Sequence, residues 1–199
     1  MHNNYPNLVL AYHGCDIKVR DEIILGSDMK RSENPYDWLG HGIYFWENDE
    51  KRAYEWALSL KSAKKIETPA VVGAVLDLGN CLNLMDRDSI EMLRIGYQVL
   101  KEDTEDLGIT MPENINIQND DGWLLRNRDC AVIGKVHQFV KENNLTPYDS
   151  VRGLFEEGDR VYPGSGFKEK THVQICVINP NCIIGCFIPR EPISGFPIP

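Results

Sequence analysis

The chain has 199 residues, 42% of them hydrophobic and 26% charged, a composition that suits one globular domain with a full core. A formal net charge of −9 disfavours strong non-specific nucleic-acid binding, which needs a basic surface, although a nucleic-acid substrate in a small local groove stays open. No stretch approaches the roughly 18 to 20 consecutive apolar residues of a membrane helix. Met1-His-Asn-Asn-Tyr-Pro6 lacks the basic start and apolar run of a signal peptide, so a cytoplasmic protein with no membrane partner is expected.

The predicted elements run as follows. Leu8-Val-Leu-Ala-Tyr-His13 reads as a first strand ended by Gly14, and residues 17 to 35 as a short helix and a loop. Gly42-Ile-Tyr-Phe-Trp46 is rich in β-formers and predicts a second strand. A helix follows over 49 to 64, with Asn48 as its cap and Ala53, Trp56, Ala57, Leu60 and Ala63 at helical spacing. Ala70 to Leu78 is an apolar run that predicts a buried strand. A second long helix is expected over about 88 to 101, with Ile90, Leu93, Tyr97 and Leu100 on its apolar face. Residues 102 to 122 read as loop.

A third long helix, capped by Asp129 and ended by Asn143-Asn144, carries Ile133, Val136 and Val140. A Gly/Pro-rich loop over 158 to 168 leads to strands over 171 to 178 and 182 to 188, then to an extended tail. Strands gather towards the two ends with helices between, which favours an α+β domain over a doubly wound sheet. No Gly-x-Gly-x-x-Gly follows the first strand, so dinucleotide binding of the Rossmann kind is not expected. The six cysteines lack zinc-like spacing, and reduced buried thiols are expected with no metal.

Three stretches have the makings of a site. His13 ends a strand and Gly14 lets a ligand approach the backbone closely. Alternation places Tyr44 and Trp46 on one face of their strand, where Gly40 and Gly42 leave room and an aromatic face suits a flat heteroaromatic ring. On the late strand Val173, Ile175 and Val177 make a core face, and His172 and Gln174 share the other. That polar pair suits either ligand hydroxyls or solvent.

Tyr12-His-Gly14, the run Asp37-Trp-Leu-Gly-His-Gly-Ile-Tyr-Phe-Trp-Glu-Asn-Asp49 with Arg52-Ala and Glu55-Trp-Ala after it, and the late polar-faced strand together resemble the His–Tyr–Glu class of ADP-ribosyltransferases. That class includes the poly-ADP-ribose polymerases and diphtheria-type toxins, and the likeness is greatest to its small stand-alone bacterial members. The motifs cover about residues 10 to 60, with a weaker match over 171 to 188.

The resemblance implies a single domain over 1–199 with split antiparallel β-sheets around an NAD cleft, and a variable insertion near 86–150. It implies NAD as co-substrate, bound by His13, Gly14, Gly42, Tyr44, Trp46 and Arg52. His13 would bond a ribose hydroxyl, the Gly14 backbone would take the nicotinamide carboxamide, and Tyr44 would stack on the nicotinamide ring. The class carries a glutamate on its late strand; here Gln174 and His172 stand there. Gln174 lacks the charge that stabilises a cation-like transition state. Glu157 or Glu156 would supply it only if their loop, which reads as solvated, folds into the cleft.

Transfer of ADP-ribose to a macromolecule, protein or nucleic acid, is the activity implied, with a toxin or phage-defence role and a neutralising antitoxin partner. An NAD glycohydrolase and a catalytically silent NAD- or ADP-ribose-binding module are the alternatives.

Overall fold

The computed structural model describes residues 8–116 and 125–197. Leu8–Asp16 forms β1, and Asp16 at its end accepts from the Lys18 amide to start α1 (Ile17–Ile24). Ile43–Glu47 is β2 and Glu50–Ser62 is α2. The N-cap of α2 is Asp49, whose carboxylate accepts from the Arg52 amide at 2.8 Å, and not Asn48 as expected. Asn48 instead takes the left-handed conformation, φ 51°, that turns the chain from strand to helix.

Pro69–Asp77 is β3, with Ala70, Val71, Val72, Ala74 and Leu76 buried, and Cys81–Asn83 is the short β4. Arg87–Leu107 is α3, about two turns longer than the apolar periodicity predicts. The polar run 102–107, expected as loop, is its last part. Gly108 at φ 62° ends it, and the Ile109 amide bonds Thr104 O at 3.0 Å. The rest of that expected loop contains the two-residue strand Asn114–Ile115 (β5), and 117–122 lie outside the described residues.

Leu125–Arg126 (β6) pairs with β5, and α4 follows over Asn127–Glu142. Asp129 lies in its first turn and is not the cap. Asn114 supplies that function from outside, accepting the Arg128 and Asp129 amides at 2.9 and 3.2 Å. Ser150–Phe155 is β7, His172–Val177 is β8, and Ile183–Phe187 is β9 after a single 3-10 turn at Pro180–Cys182.

Seven strands form one mixed sheet in the order β4-β7-β8-β2-β1-β3-β9, with only β4 and β7 parallel. The α+β class is as expected, but the strands form one continuous mixed sheet and not split antiparallel sheets; its shortest ladder is the seam between β1 and β2. β1 and β3 share nine register pairs, whereas β1 and β2 share two, Ala11↔Glu47 and Tyr12↔Trp46.

One face carries Ala11, Ile43, Phe45, Ala74, Leu76, Ile175 and Val177 as a buried core. On the other, α4 covers Leu82, Val151 and Cys176 with Ile133, Val136 and Val140. α2 covers β1 and β3 through Ala53 and Ala57. The face of α3 turned to α4 centres on Gly96 and Leu100, while Ile90 and Tyr97 are exposed. A side chain at Gly96 would meet Val136 Cγ2 at 2.6 Å, so the two helices meet at closest approach there. Among the described residues no helix is long and apolar enough to cross a membrane.

Candidate functional site

The seam between β1 and β2 organises the site. In an antiparallel ladder, directly opposed residues alternate between pairs that exchange hydrogen bonds and pairs that do not. The Ile17 amide bonds Thr68 O at 2.8 Å, so on the β3 side the bonding residues of β1 are the odd ones. Tyr12 and Gly14 then turn their N–H and C=O groups to the β2 side, and the Asn48 amide on Leu10 O at 2.9 Å agrees. Continued register would pair Gly14 with Tyr44, but the ladder has stopped at Tyr12.

His13 takes the missing rung. Its Nδ1 lies 2.7 Å from the Tyr44 carbonyl, which can only accept, so Nδ1 carries the proton. Burial holds the imidazole below its ordinary pKa, and the neutral ring keeps an acceptor lone pair on Nε2. The Gly14 main chain is left facing the seam. It is packed so tightly that a Cβ there would lie 2.0 Å from Ala53 O on the first turns of α2.

Tyr44 is fixed by its own hydroxyl, which accepts from the Leu39 amide at 2.8 Å and donates to Gly40 O at 2.6 Å. Burial pushes this phenol well above its ordinary pKa, so it keeps its proton and is spent on the loop. What it offers a ligand is the ring. Asp37 secures that loop, accepting from Ser32 Oγ and the Asn34 amide, both at 2.9 Å. At Gly42 a side chain would collide with Cys176 Sγ and Val177 O at 2.5 Å, which explains the glycine before β2 by strand packing.

A second group lies along β8. His172 and Gln174 are 5% and 8% exposed, so neither is the solvent-facing residue that the strand pattern also permitted. His172 Nδ1 donates to Lys170 O at 2.6 Å, and Nε2 accepts from Gln174 Nε2 at 3.0 Å. Gln174 is the register partner of Trp46. Glu157, expected in a solvated loop, is instead held beside β8 by an ion pair with Arg52 of α2, and its Oε2 is 3.7 Å from His172 Nδ1. Glu156 is exposed. Burial lowers the pKa of His172, with the Lys170 carbonyl and Glu157 opposing and Arg52 assisting.

Tyr44, Trp46, His172 and Gln174 thus share one face of the sheet with Arg52 and Glu157 above them. By alternation His13 belongs to the opposite face, its ring 5.9 Å from Phe45, and it reaches the first set through the Tyr44 main chain. Trp38, Phe155 and Arg126 were not singled out by sequence. The Arg126 guanidinium lies 4.5 and 4.7 Å from the centroids of the Trp38 and Phe155 rings, and Phe155 adjoins His172 at 6.1 Å. Trp38 falls within the Asp37–Asp49 run, but no motif marks Phe155 or Arg126; the proximity of β7, β8 and the start of α4 brings the three together.

No family model matches the chain, and no solved structure does. Among curated proteins it is similar to an uncharacterized protein of Methanocaldococcus jannaschii, 24% identical over 200 residues that span 90% of this chain and 86% of the relative.

Proposed function

We propose that the protein is an NAD-dependent ADP-ribosyltransferase of the His–Tyr–Glu kind, its cleft lying at the seam between β1 and β2. One observation carries the reading: the Gly14 main chain is left facing an interrupted rung because His13 occupies the Tyr44 carbonyl. An N–H donor and a C=O acceptor side by side match a primary carboxamide, which is what nicotinamide presents. The Tyr44 ring, pinned at its hydroxyl, offers an aromatic face beside them. The neutral His13 Nε2 is an acceptor for a ribose hydroxyl.

In the reaction the bond between the anomeric carbon and the pyridinium nitrogen breaks, and its electron pair neutralises the departing ring. The positive charge that develops on the ribose is met by an acceptor nucleophile, which bonds to the anomeric carbon and releases its proton. Gln174 is neutral and donates to His172, so the charge that opposes the developing cation comes from Glu157. The acceptor is a macromolecule, protein or nucleic acid, and a toxin or phage-defence role with an antitoxin partner accords with the bacterial proteins that the motifs resemble.

Incubation with nicotinamide-labelled and adenine-labelled NAD in cell extract tests this. Release of nicotinamide with label retained on macromolecules is expected, and His13→Ala and Tyr44→Ala should each lower release on the order of 100-fold or more. Full release from both variants would remove the assigned site. Free ADP-ribose without labelled macromolecule would make the enzyme a glycohydrolase, and intact NAD a binding module.

A further inference from the structure

Trp46 is 5% exposed, yet its indole N–H has no hydrogen-bond partner, and the Nε–H of Arg52 is buried in the same condition. The two are neighbours, the guanidinium carbon lying 5.8 Å from the Trp46 ring centroid. A buried donor left unmade costs about 1–3 kcal/mol, and orphaned groups in native proteins usually mark an absent ion, water or ligand. Arg52 stands in the first turn of the 13-residue helix α2, where the peptide dipole adds positive potential. The N-terminus of α2 is already capped by the Asp49 carboxylate, so the two orphan N–H donors and the guanidinium are what make a receptor for anionic oxygen at this spot.

The anion there now belongs to the protein. Glu157 reaches the Arg52 terminal nitrogen from the stem of a flap, 157–170, held by its own main-chain bonds. Lys170 N bonds Glu157 O at 3.0 Å, Glu169 N bonds Asp159 O at 3.0 Å, and Val161 N bonds Phe167 O at 3.1 Å. The carboxylate meets the outer edge of the guanidinium and leaves Nε and the indole N–H unmatched. A carboxylate has two acceptor oxygens on one plane; a phosphate group carries more oxygens in three dimensions and would serve both donors.

We propose that Arg52 and the Trp46 indole form a phosphate subsite, and that Glu157 fills it as an internal surrogate until the pyrophosphate of the dinucleotide displaces it. The ligand's identity rests on the NAD reading, because the pyrophosphate is the anionic part of NAD at neutral pH. Displacement frees the Glu157 carboxylate beside His172, so that binding the co-substrate arms the group that faces the developing cation. Glu157 is then the catalytic carboxylate only in the loaded enzyme.

The test is binding without turnover, read by intrinsic tryptophan fluorescence on the full chain with inorganic pyrophosphate and ADP-ribose. Glu157→Gln should bind both about tenfold more tightly than the natural protein, since the competing charge is gone. Arg52→Met should bind both at least tenfold more weakly. Arg52→Lys, which keeps the charge but loses the Nε donor, should fall between the natural protein and Arg52→Met. Trp46→Phe should bind more weakly and lose most of the fluorescence response. Unchanged or weaker affinity in Glu157→Gln would overturn the proposal, as would unchanged affinity in a folded Arg52 variant.

A short single-stranded DNA bound more tightly than ADP-ribose, with the same Arg52 dependence, would assign the subsite to an acceptor and overturn its assignment to the co-substrate. Pyrophosphate binding in a protein that never releases nicotinamide would instead remove the NAD reading and leave the anion site standing.

Discussion

Tyr44 illustrates how a residue of simple appearance does two jobs. Its ring packs against the core beneath α4 while its hydroxyl bonds both ends of the Leu39–Gly40 peptide segment. Leu39 is 1% exposed, so removing the hydroxyl leaves its amide without partner or water. Tyr44→Phe is therefore expected to lose about 1–3 kcal/mol of stability, measured by denaturant unfolding, while retaining the stacking face. Nicotinamide release should fall far less than in Tyr44→Ala. Equal loss in the two would mean that the hydroxyl, not the ring, matters to the ligand. His13 shows the same economy: donating to the Tyr44 carbonyl decides its tautomer and so its chemistry.

Among the elements, β2 holds the centre, and what anchors its far end is an ion pair. Glu47 accepts from Arg152 of β7 through both oxygens, at 2.5 and 2.7 Å, with side chains 15% and 22% exposed. Because β8 lies between β2 and β7, this bidentate contact spans an intervening strand and ties β2 to β7 on the face that carries Phe45 and Ile175, opposite to His172 and Gln174. Arg152→Ala should cost about 3 kcal/mol, the lower end for a buried pair because both groups keep some solvent. Combining Glu47→Gln with Arg152→Met should recover part of it. A loss below a few tenths in Arg152→Ala, by denaturant unfolding, would show the pair to be ornamental. Helix α2 contributes differently, lying so close to β1 that only Gly14 and Ala53 fit where they meet. That closeness explains why Trp56, expected on the apolar side, is 42% exposed and packs on Trp46 at 6.1 Å.

At the scale of the molecule, three histidines set the response to acid. His13, His137 and His172 are all held below the ordinary value of 6.5, in each case chiefly by burial. A group with a depressed folded pKa binds more protons when unfolded, so falling pH favours the unfolded chain. Stability should be constant well above pH 6.5 and decline as pH drops from there through the lower folded values, levelling below them. Thermal melts between pH 8 and 5 check this, and a melting temperature that rises on acidification would contradict it. Activity should follow with a lower midpoint, since His13 Nε2 remains an acceptor until the folded pKa itself is crossed. The cysteines are quiet in comparison: burial raises the thiols of Cys15, Cys130 and Cys182 to about 11, and that of Cys176 further still.

What the sequence by itself determined is local. Apolar and β-branched runs such as 70–76 and 173–177 specify strands because burial rewards them in any arrangement, and the helical spacing of Ala53, Ala57, Ile133 and Val136 survives intact. The short strands β4 and β7 escaped because three residues, or six interrupted by Gly153, carry too little periodicity. The far end of α3 escaped because its polar side dominates the composition there. His13, Gly14 and Tyr44 were legible as residues, but their relation was not. Only the tertiary structure decides that the β1–β2 ladder stops after two pairs, that an imidazole replaces the next rung, and that Glu157 leaves its loop for Arg52. Each of these depends on groups 31 to 105 residues apart, where neither propensity nor spacing carries information and geometry alone does.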